Sequence, residues 1–219
     1  MKKYFGFILS IVLALIMMAF TFYVKSTLKP DDILVNKIKD TPYSYFVSEE
    51  DRFSQDLEDF KIDENDIIAL KVKLNKHIKF VNKNRISEFD VLESYNSSDF
   101  SDEKIYIAEG IMYNENLEVF NILNLNHIPM KEGSEYIVLL DSHYFEDYQN
   151  ILDKKLYNLY GNNNKTFSKI STNASKFVND IYIKYDDLDD YLPVQNDKQK
   201  EEYLNKVNEI FIKLGIQWM

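Results

Sequence analysis

An α+β fold is predicted: an N-terminal transmembrane helix, a β-rich domain built as a small barrel or strongly bent antiparallel sheet, and a C-terminal amphipathic helix. Three observations predict it. An uncharged apolar run of twenty residues, Phe5 to Val24, opens the chain. Segments of strand-like, period-two apolarity fill the middle, and an apolar stripe at helical spacing closes it between residues 197 and 214.

The opening run, FGFILSIVLALIMMAFTFYV, has Ser10 and Thr21 as its polar members. At about 1.5 Å per residue a helix of this length reaches roughly 30 Å, the thickness of a bilayer's hydrocarbon core. Lys2 and Lys3 precede it, and Tyr4 and Tyr23 stand at interfacial positions. Residues 1–25 therefore read as a signal-anchor in contact with the lipid bilayer through Phe5 to Val24. A short lysine-bearing head stays inside while a long C-terminal domain crosses, so the expected topology is single-pass with a cytoplasmic N-terminus and an extracytoplasmic body. The alternative is a signal peptide cleaved near Val24-Lys25-Ser26 and a secreted body; the run is longer than the usual apolar region of such a peptide.

Residues 26–48, punctuated by Lys29-Pro30-Asp31 and Thr41-Pro42, are expected to form a stalk, and residues 49–219 a soluble domain. Its composition suits a folded body: aromatics make up 15 % of the chain and Gly (5) and Pro (4) are scarce. With Lys2, Lys3 and Lys25 set aside, 23 basic side chains face 36 acidic ones, a balance of −13. Such a body repels a phosphate backbone, which argues against a nucleic-acid partner. The absence of cysteine removes disulfides, thiolate nucleophiles and Cys-ligated metals. Use of Lys, Asn, Ile and Tyr is heavy, as in proteins of AT-rich bacterial genomes.

Charge is blocked along the body. Glu49 to Asp66 holds nine acids and two bases, and Lys71 to Arg85 holds six bases and no acid. Two solvated surfaces attracting one another is the expected outcome. Strand signals overlap the second block: Ile68, Leu70, Val72 and Leu74 alternate with Ala69, Lys71, Lys73 and Asn75, which puts lysines outward. Phe89, Val91 and Tyr95 keep the period, as do Ile105, Ile107, Ile111 and Tyr113. Asn114-Glu115-Asn116 is a candidate turn into a strand containing Leu117 and Val119. Tyr136 to Leu140 is apolar throughout and reads as a strand covered on both faces. Thr166–Ile170 and Ile181–Tyr185 are shorter candidates.

Tyr203, Leu204, Val207, Ile210, Phe211 and Leu214 form the closing stripe. Asn196 and Gln199 have capping-box spacing, Gly215 is placed to end the helix, and Glu202–Lys206 and Glu209–Lys213 are possible i,i+4 pairs.

Candidate chemistry is sparse, and no catalytic or cofactor-binding residue is assigned. His77, His127 and His143 are scattered singly, and His143 with Glu146 does not make an HExxH element; each is expected to be a surface or satisfied core histidine. Asp186, Asp187, Asp189 and Asp190 form an acid cluster able to offer carboxylate oxygens to a cation, without the loop pattern of a calcium site. The expected role is a solvated turn. Thirty-six acids make some close carboxylate pair inevitable, so their number carries no signal for glycoside hydrolysis.

The stretch Glu88 to Leu140, with Val91-Leu92-Glu93-Ser94-Tyr95, Lys104-Ile105-Tyr106-Ile107-Ala108-Glu109 and Met130-Lys131-Glu132-Gly133-Ser134-Glu135-Tyr136-Ile137-Val138-Leu139-Leu140, resembles a group of extracytoplasmic proteins of Gram-positive bacteria. In that group a strand precedes a K/E-x-G-x-x-Y-I/L-V/F-x-L element within a small barrel-like domain behind an anchor or signal. The resemblance covers about a quarter of the chain and implies fold and location, with no activity attached. Together these readings predict a non-enzymatic surface domain that binds an envelope protein or wall polymer. The rivals are an envelope hydrolase using a carboxylate pair and an accessory subunit of a membrane complex.

Overall fold

The computed structural model describes residues 13–20, 31–45, 50–63, 66–81, 83–97, 100, 104–122, 127–142, 156–161, 168–171, 174–178 and 182–217. Of the apolar opening run, residues 13–20 are helical and every side chain is exposed. No helix among the described residues is long and apolar enough to cross a membrane. The remaining residues of that run lie outside the described ones, as do His143, Glu146, Thr166, Phe167 and Ile181.

The expected stalk is corrected over residues 31–45, which are built into the body. Helix α1 (Asp31–Lys37) and strand β1 (Tyr43–Ser44) both belong to the fold. Ile38, Tyr43 and Tyr45 are buried, and Leu34 and Val35 pack beside them. The physical reason is that Leu34, Val35 and Ile38 share one face of a short helix, while Tyr43 and Tyr45 share one face of an extended segment. Pro42 stands between α1 and β1, inside the body and not in a linker.

Helix α2 (Glu50–Asp59) leads to the main strands: β2 (Ile67–Val81), β3 (Asn84–Ser94), β4 (Lys104–Asn114), β5 (Val119–Ile122) and β6 (Glu135–Asp141). Shorter ones follow: β7 (Leu156–Asn158), β8 (Lys169–Ser171), β9 (Lys176–Phe177), β10 (Tyr182–Ile183) and β11 (Tyr191–Leu192). A 3₁₀ helix occupies Tyr185–Asp190, and α3 spans Asp197–Leu214. The sheet runs β10-β1-β5-β4-β3-β2-β6-β8, and β11 pairs with β9 separately.

Strand β2 is the spine. Its N-terminal half pairs with β6 and most of its length with β3, with register shifts at Lys71/Val72, Leu74/Lys76 and His77/Lys79. Each such irregularity bends the strand and steepens its twist, so the sheet curls into a half-barrel. Strand β7 lies across the opening: it runs parallel to β4, and Leu159 just beyond it bridges to Leu140 of β6. The β-rich, barrel-like expectation is met at this level.

Period-two apolarity fills the curl. Leu70, Val72 and Leu74 of β2, Phe89 and Val91 of β3, Ile105 and Ile107 of β4 and Tyr136, Val138 and Leu140 of β6 line one core. Residues of the opposite phase, Ile67, Ala69, Ile137 and Leu139, join a second core with Phe53 and Leu57 of α2 and Tyr203, Val207, Ile210, Phe211 and Leu214 of α3. Strand β6 is therefore covered on both faces, as predicted. A third core gathers Ile38, Tyr43, Phe80, Ile111, Phe120 and Tyr185 at the end of the curl reached by β1 and β5.

Helix α3 has the expected limits. Asn196 caps it by accepting from Gln199 N at 2.9 Å, and Gly215 closes it in the left-handed region at φ 70°. Gln199 departs from the capping box, since its Oε1 accepts from Gln195 N. The i,i+4 ion pairs are replaced: Lys206 pairs with Glu209 at 3.2 Å, Glu202 accepts from Ser54, and Lys213 donates to Ile62 O.

Among the described residues the lysines of the basic block meet acids on neighbouring strands. Lys71 pairs with Glu135 of β6 at 3.1 Å, and Lys73 and Lys76 stand opposite Asp90 and Glu88 of β3. Cross-strand neighbours about 5 Å away meet the β2 lysines before any helix can. Leu117, expected in a strand, is exposed within the four-residue turn 115–118, and Val119 opens β5.

Candidate functional site

One face of the curled sheet carries charge where its neighbours are apolar. On β4 the inward series is Ile105, Ile107, Glu109, Ile111; on β3 it is Arg85, Ser87, Phe89, Val91. Arg85 and Glu109 are register partners. Their side chains meet at 2.5 Å (Nη2 to Oε2), both fully buried, in a polar layer between the barrel core and the core at the β1–β5 end.

Around this pair the polar contacts are dense. Arg85 also donates to Tyr43 Oη at 2.9 Å and to the carbonyl of Met130 at 2.7 Å. Glu109 Oε1 accepts from His127 Nε2 and from Met130 N, each at 3.0 Å. Lys169 of β8, also buried, donates to Ile128 O at 2.7 Å and lies over the Tyr136 ring. A neighbouring group links His77 to Ser87 Oγ at 2.8 Å and to Tyr185 Oη at 3.1 Å, and Tyr185 accepts from Glu132 N at 2.8 Å.

Burial works against the charge on Glu109, but the Arg85 charge and the bond from His127 override it and hold its pKa below the ordinary range. Burial pushes His127 down despite Glu109, so its ring is neutral and carries its proton on Nε2, facing the carboxylate. Burial lowers His77 to about 2 and Lys169 to about 8, the latter against the pull of Asp189 and Glu109. Tyr43 is raised to about 12 by burial.

A lysine near pKa 8 beside a neutral histidine has the acid–base properties of a catalytic pair. Access to it is narrow among the described residues. The cavity against His127, Lys169, Ser171 and Tyr203 measures about 10 Å³, room for about one water molecule. The backbone groups that its side chains satisfy lie on residues 127–134, a segment without regular structure. Met130 N and O, Ile128 O, Lys131 N and Glu132 N are each satisfied by a buried side chain, Lys131 N by Tyr136 Oη at 2.8 Å. Gly133, at φ 86°, turns the chain into β6. Buried irregular backbone must find such partners, and the layer is the latch that supplies them.

The acid cluster is corrected in the same terms. Asp186, Asp187, Asp189 and Asp190 lie on the 3₁₀ helix. Asp189 accepts from Ser134 Oγ and Tyr136 Oη, and Asp190 pairs with Lys176 at 2.6 Å. Among the described residues no three His, Asp or Glu side chains gather to hold a metal ion. His77 and His127 are satisfied core histidines.

The sequence reading missed Arg85, Glu109 and Lys169. The signal for Glu109 was present, since it occupies the inward phase of an otherwise isoleucine series; Lys169 sits in a strand too short to show a phase.

A second depression, of about 240 Å³, lies between residues 60–62 and α3, lined by Phe60, Lys61, Ile62, Lys206, Glu209, Ile210 and Lys213. Comparison of the chain with protein-family models, with curated proteins and with solved structures finds no match.

Proposed function

We propose that the chain is a single-pass membrane protein whose N-terminus is cytoplasmic and whose β-rich body stands on the outer face as a non-enzymatic binding domain for an envelope protein or wall polymer. The observation that carries this reading is the exposure of helical residues 13–20. Leu13, Leu15, Ile16, Met17, Met18 and Phe20 are each 54–67 % exposed, within a run of twenty uncharged residues. A ridge of that kind is costly in water and stable in lipid.

The fold sharpens the reading. Because residues 31–45 belong to the body, six residues (25–30) separate the anchor run from it. They reach about 20 Å at full extension, so the body rides close to the bilayer, where a tethered domain gains effective concentration for weak contacts. A filled barrel and a sealed polar layer favour recognition at a surface over turnover in a pocket.

The test is protease treatment of intact protoplasts carrying a C-terminal epitope, with alkaline carbonate extraction of membranes in parallel. Loss of the epitope and retention in the carbonate pellet are expected. An unprocessed chain in the cytosolic fraction, or a protected epitope, overturns the topology. Crosslinking in intact membranes then compares the chain with a version whose Phe5–Val24 run is exchanged for an unrelated anchor. Adducts that survive the exchange belong to the body, and adducts that vanish belong to the helix.

A further inference from the structure

We infer that the depression between residues 60–62 and the C-terminal half of α3 is a binding site for a phosphate ester with an apolar substituent. This inference rests on the groove and stands apart from the anchor. At about 240 Å³ it has room for a small organic group, against about 10 Å³ for the cavity at the polar layer.

Its two materials are segregated. Phe60 and Ile210 are buried and form an apolar floor, extended by partly buried Ile62. Among the described residues the walls carry three ammonium groups, Lys61, Lys206 and Lys213, and the carboxylate of Glu209. That is a local excess of two positive charges on a body whose balance is −13. The groove thus reverses the sign of the surface around it, which is the complementarity an anion needs.

The lysines are also placed. Lys206 has 19 % of its side chain exposed and is held by both oxygens of Glu209, at 3.2 and 3.3 Å. Lys213 is drawn across the groove to the carbonyl of Ile62 at 2.7 Å, which ties α3 to the segment opposite. Ammonium groups on flexible stems serve as point charges for phosphate, whereas planar carboxylate recognition favours the arginine fork absent here. An apolar substituent on the ester would cover Phe60, Ile62 and Ile210. A soluble phosphate ester and a phospholipid headgroup share this chemistry.

The test is calorimetry on the full chain in a non-ionic detergent. Phenyl phosphate, inorganic phosphate and benzyl alcohol probe the two materials of the groove. Dihexanoyl phosphatidylglycerol, with dihexanoyl phosphatidylcholine as its comparison, probes a lipid source. Saturable binding of phenyl phosphate is expected, about tenfold tighter than inorganic phosphate or benzyl alcohol. Lys61→Met with Lys206→Met should weaken it about tenfold, and Glu209→Gln should tighten it about threefold by removing the competing carboxylate. Lys104→Met, on the sheet far along the chain, should leave it unchanged. Tighter binding of the phosphatidylglycerol than of phenyl phosphate assigns the site to a lipid headgroup, and the reverse assigns it to a soluble ester. No saturable binding of either ester, saturable binding of both dihexanoyl lipids with equal affinity, or binding indifferent to the Lys61 and Lys206 changes overturns the inference. Lys61 is exposed, so its single variant reports on charge even where the double variant melts early.

Discussion

Arg85 and Glu109 face each other across β3 and β4 at 2.5 Å, fully shut from water, and through them the backbone of Met130 is held at both its N–H and its carbonyl. Two buried charges that satisfy each other and a loop cannot be removed one at a time. Glu109→Gln strands the guanidinium and should destabilise the body by about 3–5 kcal/mol, read from urea unfolding. Arg85→Met combined with Glu109→Leu removes both charges and should recover a large part of that loss. A double variant as unstable as the two singles added together would mean that the charges do not act as a unit.

Acid should weaken the protein before any carboxylate is reached. His77 and His127 titrate near 6.5 when unfolded, and burial holds both neutral in the fold to lower pH, His77 down to about 2. The folded chain therefore binds fewer protons than the unfolded one below about pH 6.5. Stability is full above that value and falls with pH, by about 1 kcal/mol per pH unit for each such ring. Glu109 adds a second loss below about pH 4.3, because its folded pKa lies under the ordinary one. Urea midpoints at pH 7.5, 6 and 5 measure the slope. His77→Gln should flatten it by one ring's share; an unchanged slope would show that His77 is not held neutral.

How much of this was legible depends on what a pattern encodes. The phase of Ile68, Leu70, Val72 and Leu74 states which side of β2 lines the barrel core, though Ile67 and Ala69 of the other phase are covered too; the unbroken apolarity of Tyr136–Leu140 states that β6 is covered twice, and it is. The limits of α3 were legible because Asn196 and Gly215 act on their own neighbours. Partners at long range were not. The β2 lysines read as the complement of the acids on α2, yet pairing across strands brings Glu88, Asp90 and Glu135 nearer. Residues 31–45 read as a stalk because the prolines at 30 and 42 outweighed five apolar side chains whose covering comes from distant residues, Phe80, Ile111, Phe120 and Tyr185 among them. The latch needed Glu109 to be noticed as a charge in an inward phase.

Asp189 and Asp187 separate a structural role from a cation role. Asp189 accepts from Ser134 and Tyr136 and sits 4.0 Å from Lys131, whereas Asp187 lies on the same short helix without those partners. Asp189→Ala should leave two donors unpaired and destabilise by about 1–3 kcal/mol. Asp187→Ala should stay within about 0.5 kcal/mol of the parent. Millimolar calcium should leave the melting temperature of the parent where it was. A calcium-dependent rise, abolished equally by both changes, would restore the cluster as a cation site.

Two turns should respond to glycine with opposite signs. Glu118 closes the β4–β5 turn at φ 52°, a left-handed conformation that costs an L-residue with a side chain roughly 1–2 kcal/mol. It is exposed, so nothing is lost when the side chain goes. Glu118→Gly should therefore raise stability by about 1 kcal/mol, the relief of strain being partly offset by the greater freedom of glycine in the unfolded chain. Gly133 already occupies that region at φ 86°, and a methyl group there would meet no atom within 4 Å. Gly133→Ala should then cost about 1 kcal/mol from the backbone alone. Thermal denaturation of the two variants gives both signs at once. A destabilising Glu118→Gly would show that the side chain holds the turn, and a neutral Gly133→Ala would show that the segment leading into β6 can rotate out of the left-handed region without disturbing the latch beside it.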